Sequence, residues 1–210
     1  MSKLQDVENA VVSGKSKLVA GLVQEALDEG CSAPDILNGM INAMGIVGER
    51  FKKNEIFVHE MLVAARAMKK GVDVLKPHLA SGSAGVCGKA IIGTVAGDLH
   101  DIGKNLVAMM IESAGFEVID LGVDVPVEKF IETVKANPDV KIVGCSALLT
   151  TTMPALKSTV EALNAEDFRS HIKVMVGGAP ITQEFANEIG ADAYTPDAAS
   201  AAQKAKELVA

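Results

Sequence analysis

The chain has 210 residues, 49% of them apolar and 22% charged, and it contains no Trp. That is enough apolar material for one or two cores, built from Ala, Val, Ile, Leu and nine Met rather than from aromatic rings. A net charge of −7 and the lack of any Lys/Arg cluster with interleaved aromatics argue against nucleic acid as a partner.

No apolar run approaches a membrane span, and the start, Met1-Ser2-Lys3-Leu4-Gln5-Asp6, has no leader pattern, so a cytoplasmic protein without a membrane partner is expected. Cys31, Cys87 and Cys145 are far apart and form no C-x-x-C pair, which indicates neither a disulfide framework nor a zinc site.

Residues 1–80 read as helices only. A first helix covers Lys3 to Val12 and a second Lys15 to Glu29, with Leu18, Val19, Leu22, Val23, Ala26 and Leu27 at helical spacing. Ser32-Ala33-Pro34-Asp35 starts a third, which runs to about Phe51; a fourth covers His59 to Leu75. Short connections make these four an antiparallel bundle. Residues 81–88 combine Gly and Ser with no charge, the composition of a flexible linker and a domain boundary.

From residue 89 the pattern alternates. Strands are expected at 89–96, 116–121, 140–146, 172–176 and 192–194, and helices at 103–114, 126–136, 152–165, 181–189 and 197–208. Five such units predict a doubly wound parallel sheet of flavodoxin-like order 2-1-3-4-5, with the crevice between strands 1 and 3.

Gly97-Asp98-Leu99-His100-Asp101-Ile102-Gly103 follows the apolar run Ala90 to Ala96, so His100 falls at the carboxyl end of the first strand. Asp98, two residues earlier, can hold the imidazole by its other nitrogen, the usual way of fixing a metal-ligating histidine. Gly103 leaves room for a bulky ligand. These residues point to His100 as the protein ligand to a metal carried in a large cofactor. Three further stretches fall at strand ends: Gly122 to Pro126, read as a turn; Ser146 to Thr152, rich in small and hydroxyl side chains; and Gly177-Gly178-Ala179-Pro180, where paired glycines allow close backbone approach.

Each of these residues also has a plainer structural reading. Asp98 and Asp101 suit a helix start, Ser146 and Thr150 to Thr152 suit turns and caps, and Gly177-Gly178 suits a tight turn. Methionines on bundle helices are ordinarily core, and His59, His78 and His171 fall outside the constellation.

D-x-H-x-x-G, then S-x-L, then G-G, in this order on a five-unit α/β domain behind a helical segment, resembles the corrinoid (cobalamin-binding) proteins of methanol, methylamine, betaine and methoxyaromatic methyltransferase systems. The resemblance spans nearly the whole chain. It implies a cobalamin or related corrinoid bound base-off, with His100 as lower axial cobalt ligand and Asp98 and Thr152 as a hydrogen-bond relay behind it. Asp101, Ile102, Gly103, Ser146, Leu148 and Thr150 would surround the cofactor and its displaced nucleotide tail, and Gly177 and Gly178 would contact the tail's far end. The segment Phe57 to Met68 looks like the family's cap signature, with His59 where the family usually has Pro; Phe57, Met61 or Met68 would cover the upper corrin face.

The function so implied is a methyl carrier, not catalytic alone. It would take a methyl group on cobalt from a substrate-specific methyltransferase and pass it to an acceptor methyltransferase, with a reductive activator as third partner. A cobalamin-dependent regulator would carry a DNA-binding segment and an aromatic-rich cap, and a mutase small subunit would lack the helical cap. A flavodoxin-like signalling domain would leave the four motif placements unexplained.

Overall fold

The computed structural model describes residues 2–79 and 87–210. The linker expectation falls mostly on residues 80–86, outside the described residues; Gly88, the last residue assigned to it, instead opens the first strand. The chain divides into two compact units.

The first unit holds α1 (Lys3–Val12), α2 (Ser16–Asp28), α3 (Ala33–Lys52) and α4 (Val58–Leu75), each packed on its neighbours as a bundle. The boundaries follow from caps. Ser2 and Ser32 accept from Gln5 N–H and Asp35 N–H at the starts of α1 and α3. At α4 the Glu60 carboxylate accepts from Phe57 N–H at 2.8 Å, so the helix opens at Val58 and His59 is an exposed first-turn residue. The inward face of α4 carries Met61, Ala64, Ala65, Met68 and Leu75, all buried.

The second unit alternates β1 (Gly88–Val95), α5 (Ile102–Ser113), β2 (Phe116–Val125), α6 (Val127–Ala136), β3 (Val140–Ser146), α7 (Met153–Asn164), β4 (Lys173–Gly177), α8 (Gln183–Glu188), β5 (Ala193–Tyr194) and α9 (Ala198–Val209). All strand pairs are parallel and the order is β2-β1-β3-β4-β5, as expected. On one face of the sheet Ile91, Val95, Val143, Cys145 and Val174 pack with Phe130, Val134, Leu156 and Val160 from α6 and α7. The alternate residues Ala90, Ile92 and Thr94 are buried on the opposite face, where a right-handed β1–β2 crossover puts α5.

The expected turn at Gly122 to Pro126 is instead the end of β2. Pairing runs Ile92↔Asp120, Gly93↔Gly122 and Val95↔Val125, so β2 uses one extra residue at each of two steps. These are bulges, and Gly122 (φ 85°) and Asp124 (φ 53°) absorb them in left-handed conformations. Residues that suit a turn also suit a bulge, which is why the strand reads four residues short. The helix expected at 152–165 begins at Met153 because Thr150–Thr152 form a tighter 3-10 turn. Helix α8 is shorter than 181–189: the Thr182 side chain accepts from Phe185 N–H and fixes its start.

Candidate functional site

The site is built on one buried carboxylate. Gly97 (φ 81°) turns the chain out of β1 and delivers Asp98 into the crevice, where it has no solvent exposure. Its Oδ1 accepts from His100 N–H at 3.1 Å and lies 2.7 Å from His100 Nδ1. Its Oδ2 accepts from Leu148 N–H at 2.7 Å, Leu149 N–H at 3.4 Å and the Thr152 hydroxyl at 2.7 Å. Burial alone would raise a carboxyl pKa. The donors from Leu148, Thr152 and His100 outweigh it and hold Asp98 well below the usual carboxylate range. Thr152 Oγ1 also lies 2.9 Å from Leu149 O, but the hydroxyl has one proton and the anion is the stronger acceptor.

An ionised Asp98 can only accept, so the proton of a neutral His100 sits on Nδ1 and the Nε2 lone pair is bare. That nitrogen has no partner among the described residues, and the ring is 49% exposed. A tautomer fixed in this way is what a metal-ligating histidine requires. The donor set is nevertheless too small for a free ion: among the described residues no three His, Cys, Asp or Glu side chains converge to hold a metal. One imidazole suffices only for a metal whose other positions are filled by a macrocycle. The surroundings suit such a group. Leu99 and Ile102 are 71% and 85% exposed, and Leu148 and Leu149 are exposed too, so large apolar side chains from the loops after β1 and β3 flank the histidine.

Other sequence-derived candidates follow the crevice. Ser146 ends β3, in register with Thr94 on one side and Gly177 on the other. Thr150 is exposed in the 3-10 turn, and Gly103 faces open space. Asp101 is exposed and accepts from the Asn105 side chain at 3.1 Å, a contact within the start of α5. Gly177 O accepts from Ala147 N–H at 3.1 Å, and a Cβ on Gly178 (φ 133°) would sit 1.8 Å from Ala147 O. Gly178 thus has a backbone reason of its own, whereas Gly177 has none. Met61 and Met68 belong to the other unit and are buried; Phe57, beside them in sequence, is 72% exposed.

Four contributors escaped the sequence reading. The Thr94 hydroxyl, the one polar side chain in Ala90 to Ala96, donates to His100 O at 2.9 Å. Asp124 accepts from Gly97 N–H at 2.7 Å, and Lys104 Nζ lies 2.6 Å from both oxygens of Asp120. A lone polar residue in an apolar run was the available signal for Thr94. The others meet their partners only through space.

Residues 88–204 match the family model for a B12 binding domain, and residues 4–76 match a second model of the same description. The chain belongs to the B12-binding family of corrinoid proteins. It is 45% identical over 209 residues to the dimethylamine corrinoid protein of Methanosarcina barkeri, covering 99% of this chain and 97% of that one. Among solved structures it resembles a cobalamin-binding protein from Desulfitobacterium hafniense, with a TM-score of 0.83 and 33% identity over 99% of this chain and 98% of that one. It also resembles a chain of the methanol:cobalamin methyltransferase complex of M. barkeri, with a TM-score of 0.85 and 27% identity over 99% of this chain and 79% of that one. As a B12-binding protein the chain binds a corrinoid, and both units are shared with these relatives. No helix among the described residues is long and apolar enough to cross a membrane.

Proposed function

We propose that this protein is a cytoplasmic methyl carrier that holds its corrinoid base-off, with His100 as the lower axial ligand. The observation that carries the reading is the bare Nε2 of His100, fixed from behind by a buried carboxylate 2.7 Å from Nδ1. When bound, the corrinoid supplies a cobalt centre that can take up and give away a methyl group. His100 presents Nε2 to it. Asp98 holds the proton on Nδ1, and the Thr152 hydroxyl with the Leu148 amide keeps Asp98 anionic.

Gly103, Ser146, Leu148 and Thr150 line the crevice for the displaced nucleotide tail, Gly177 and Gly178 meet its far end, and Asp101 and Ile102 flank the corrin. Cover of the upper face is assigned to the helical unit, with Phe57, which is exposed, as the candidate there; Met61 and Met68 are buried within that unit. A substrate-specific methyltransferase loads the carrier, an acceptor methyltransferase unloads it, and a reductive activator restores oxidised metal. The relatives' names support the first of these partners and favour a methylamine or methanol as the ultimate donor.

Titrating the purified chain with hydroxocobalamin tests the reading. The wild type takes up one corrinoid per chain as a red complex with the visible spectrum of an imidazole-ligated corrinoid. His100→Ala loses that spectrum. A wild type that binds no corrinoid, or a variant with an unaltered spectrum, contradicts it.

A further inference from the structure

The loop that carries His100 is not held by apolar burial. Leu99 and Ile102 point outward, 71% and 85% exposed, and Leu99 N–H has no partner among the described residues. Polar ties must therefore fix the loop; three of them lead from Asp98 to the segment after β3 and two lead to β2. Asp124 grips two consecutive residues at once. Its Oδ1 accepts from Gly97 N–H at 2.7 Å, and its own N–H donates to Asp98 O at 2.9 Å.

A residue in plain extended strand turns its side chain and its amide in different directions. Asp124 presents both to the loop because the bulge puts it at φ 53°, a left-handed conformation that Asp and Asn tolerate. A second tie fixes the far side of the loop. Lys104, whose side chain is 2% exposed, ion-pairs with Asp120, and Asp120 Oδ1 accepts from Gly122 N–H at 2.9 Å within the same bulged segment. Thr94 secures the middle through His100 O.

We infer that Asp124 is a positioning residue for the axial ligand: the bulged end of β2 is a bracket that sets where Asp98 and His100 stand. The inference deepens the proposed function and rests on it for its consequence at the metal. The bracket itself is present in the chain without cofactor.

Amide hydrogen exchange followed by NMR in the ligand-free chain tests the bracket directly. In the wild type the Gly97 and Asp124 amides exchange more slowly than that of Leu99. Asp124→Gly removes the acceptor while keeping a residue at ease with positive φ. It speeds exchange at Gly97 and His100 by about tenfold, the loss expected from one charge-assisted hydrogen bond, while Ile91 and Ile92 in β1 keep their protection. Asp124→Asn, which retains an acceptor oxygen and the conformation but not the charge, recovers part of the wild-type protection.

In corrinoid-loaded protein, Asp124→Gly lowers the equilibrium between ligated and free imidazole by about tenfold, read from the Co(II) paramagnetic resonance signal, and Asp124→Asn recovers part of it. Equal exchange at Gly97 and Leu99 in the wild type overturns the bracket, whether or not the glycine variant folds. Faster exchange with unchanged ligation reduces Asp124 to a structural staple and overturns its positioning role. Absence of imidazole ligation in the wild type itself overturns the axial-ligand reading instead, and the cofactor-free exchange then judges the bracket alone.

Discussion

Asp98 shows how a charge survives with no solvent exposure. Two backbone amides from the loop after β3, the Thr152 hydroxyl and both the amide and ring of His100 converge on its two oxygens. Because its pKa is depressed in the folded chain, the unfolded chain takes up the proton first as pH falls. The stabilisation is therefore complete above the unfolded value of about 3.9 and is lost as pH falls below it. Urea unfolding between neutral pH and about pH 3 checks this. The wild type weakens steeply below about pH 4, whereas Asp98→Asn is less stable at neutral pH and has a flatter profile. Equal slopes would contradict the assignment.

Thr152→Val removes one hydrogen bond to the charge at nearly constant shape and lowers stability by about 2 kcal/mol, measured in the same denaturation experiment; an unchanged midpoint would contradict the contact. At this scale the site was legible where it is local. The two-residue step from Asp98 to His100 lets the carboxylate fold back on the ring; Thr152, 54 residues from Asp98, was reached only through the resemblance to corrinoid proteins. Asp124 and Lys104 were not legible, because their partners lie 27 and 16 residues away and only the bulge brings them in.

Among the elements, strand ends decide the chemistry. The crevice requires the loops after β1, β3 and β4 to lie against one another, and Gly178 is where that approach is tightest. Gly178→Ala drives a Cβ to 1.8 Å from Ala147 O at a φ of 133° and destabilises by about 3 kcal/mol or more. Gly177→Ala meets only Thr195 O, at an ordinary 3.7 Å, and changes stability by less than about 1 kcal/mol. Thermal unfolding of the two variants separates them, and equal losses would contradict the backbone account. The apolar runs of β1, β3 and β4 made those strands easy to place. β2 was cut short because Gly122 and Asp124 carry turn chemistry, and α8 was drawn too long because apolar spacing alone does not reveal the Thr182 cap.

For the molecule as a whole, the order β2-β1-β3-β4-β5 puts the reversal of strand order between β1 and β3, where the His100 loop meets Leu148. Alternating β and α patterns predicted a doubly wound parallel sheet, and the flavodoxin-like order was the natural choice for five strands. They could not show which residues anchor the reactive loop, since periodicity reports burial and not hydrogen bonding. The composition had already predicted a core without large aromatic content, and the core that forms is Val, Ile, Leu, Ala and Met with Phe116 and Phe130.

The central claim is that His100 Nε2 ligates cobalt, and one measurement reaches it directly. Protein labelled with 15N at histidine is loaded with natural-abundance cobalamin and reduced to the Co(II) form, and its paramagnetic resonance spectrum is compared with that of unlabelled protein and of His100→Ala. The account predicts nitrogen splitting that changes from triplets to doublets on labelling and disappears in the variant. Splitting that ignores the label, or persists without His100, would contradict it.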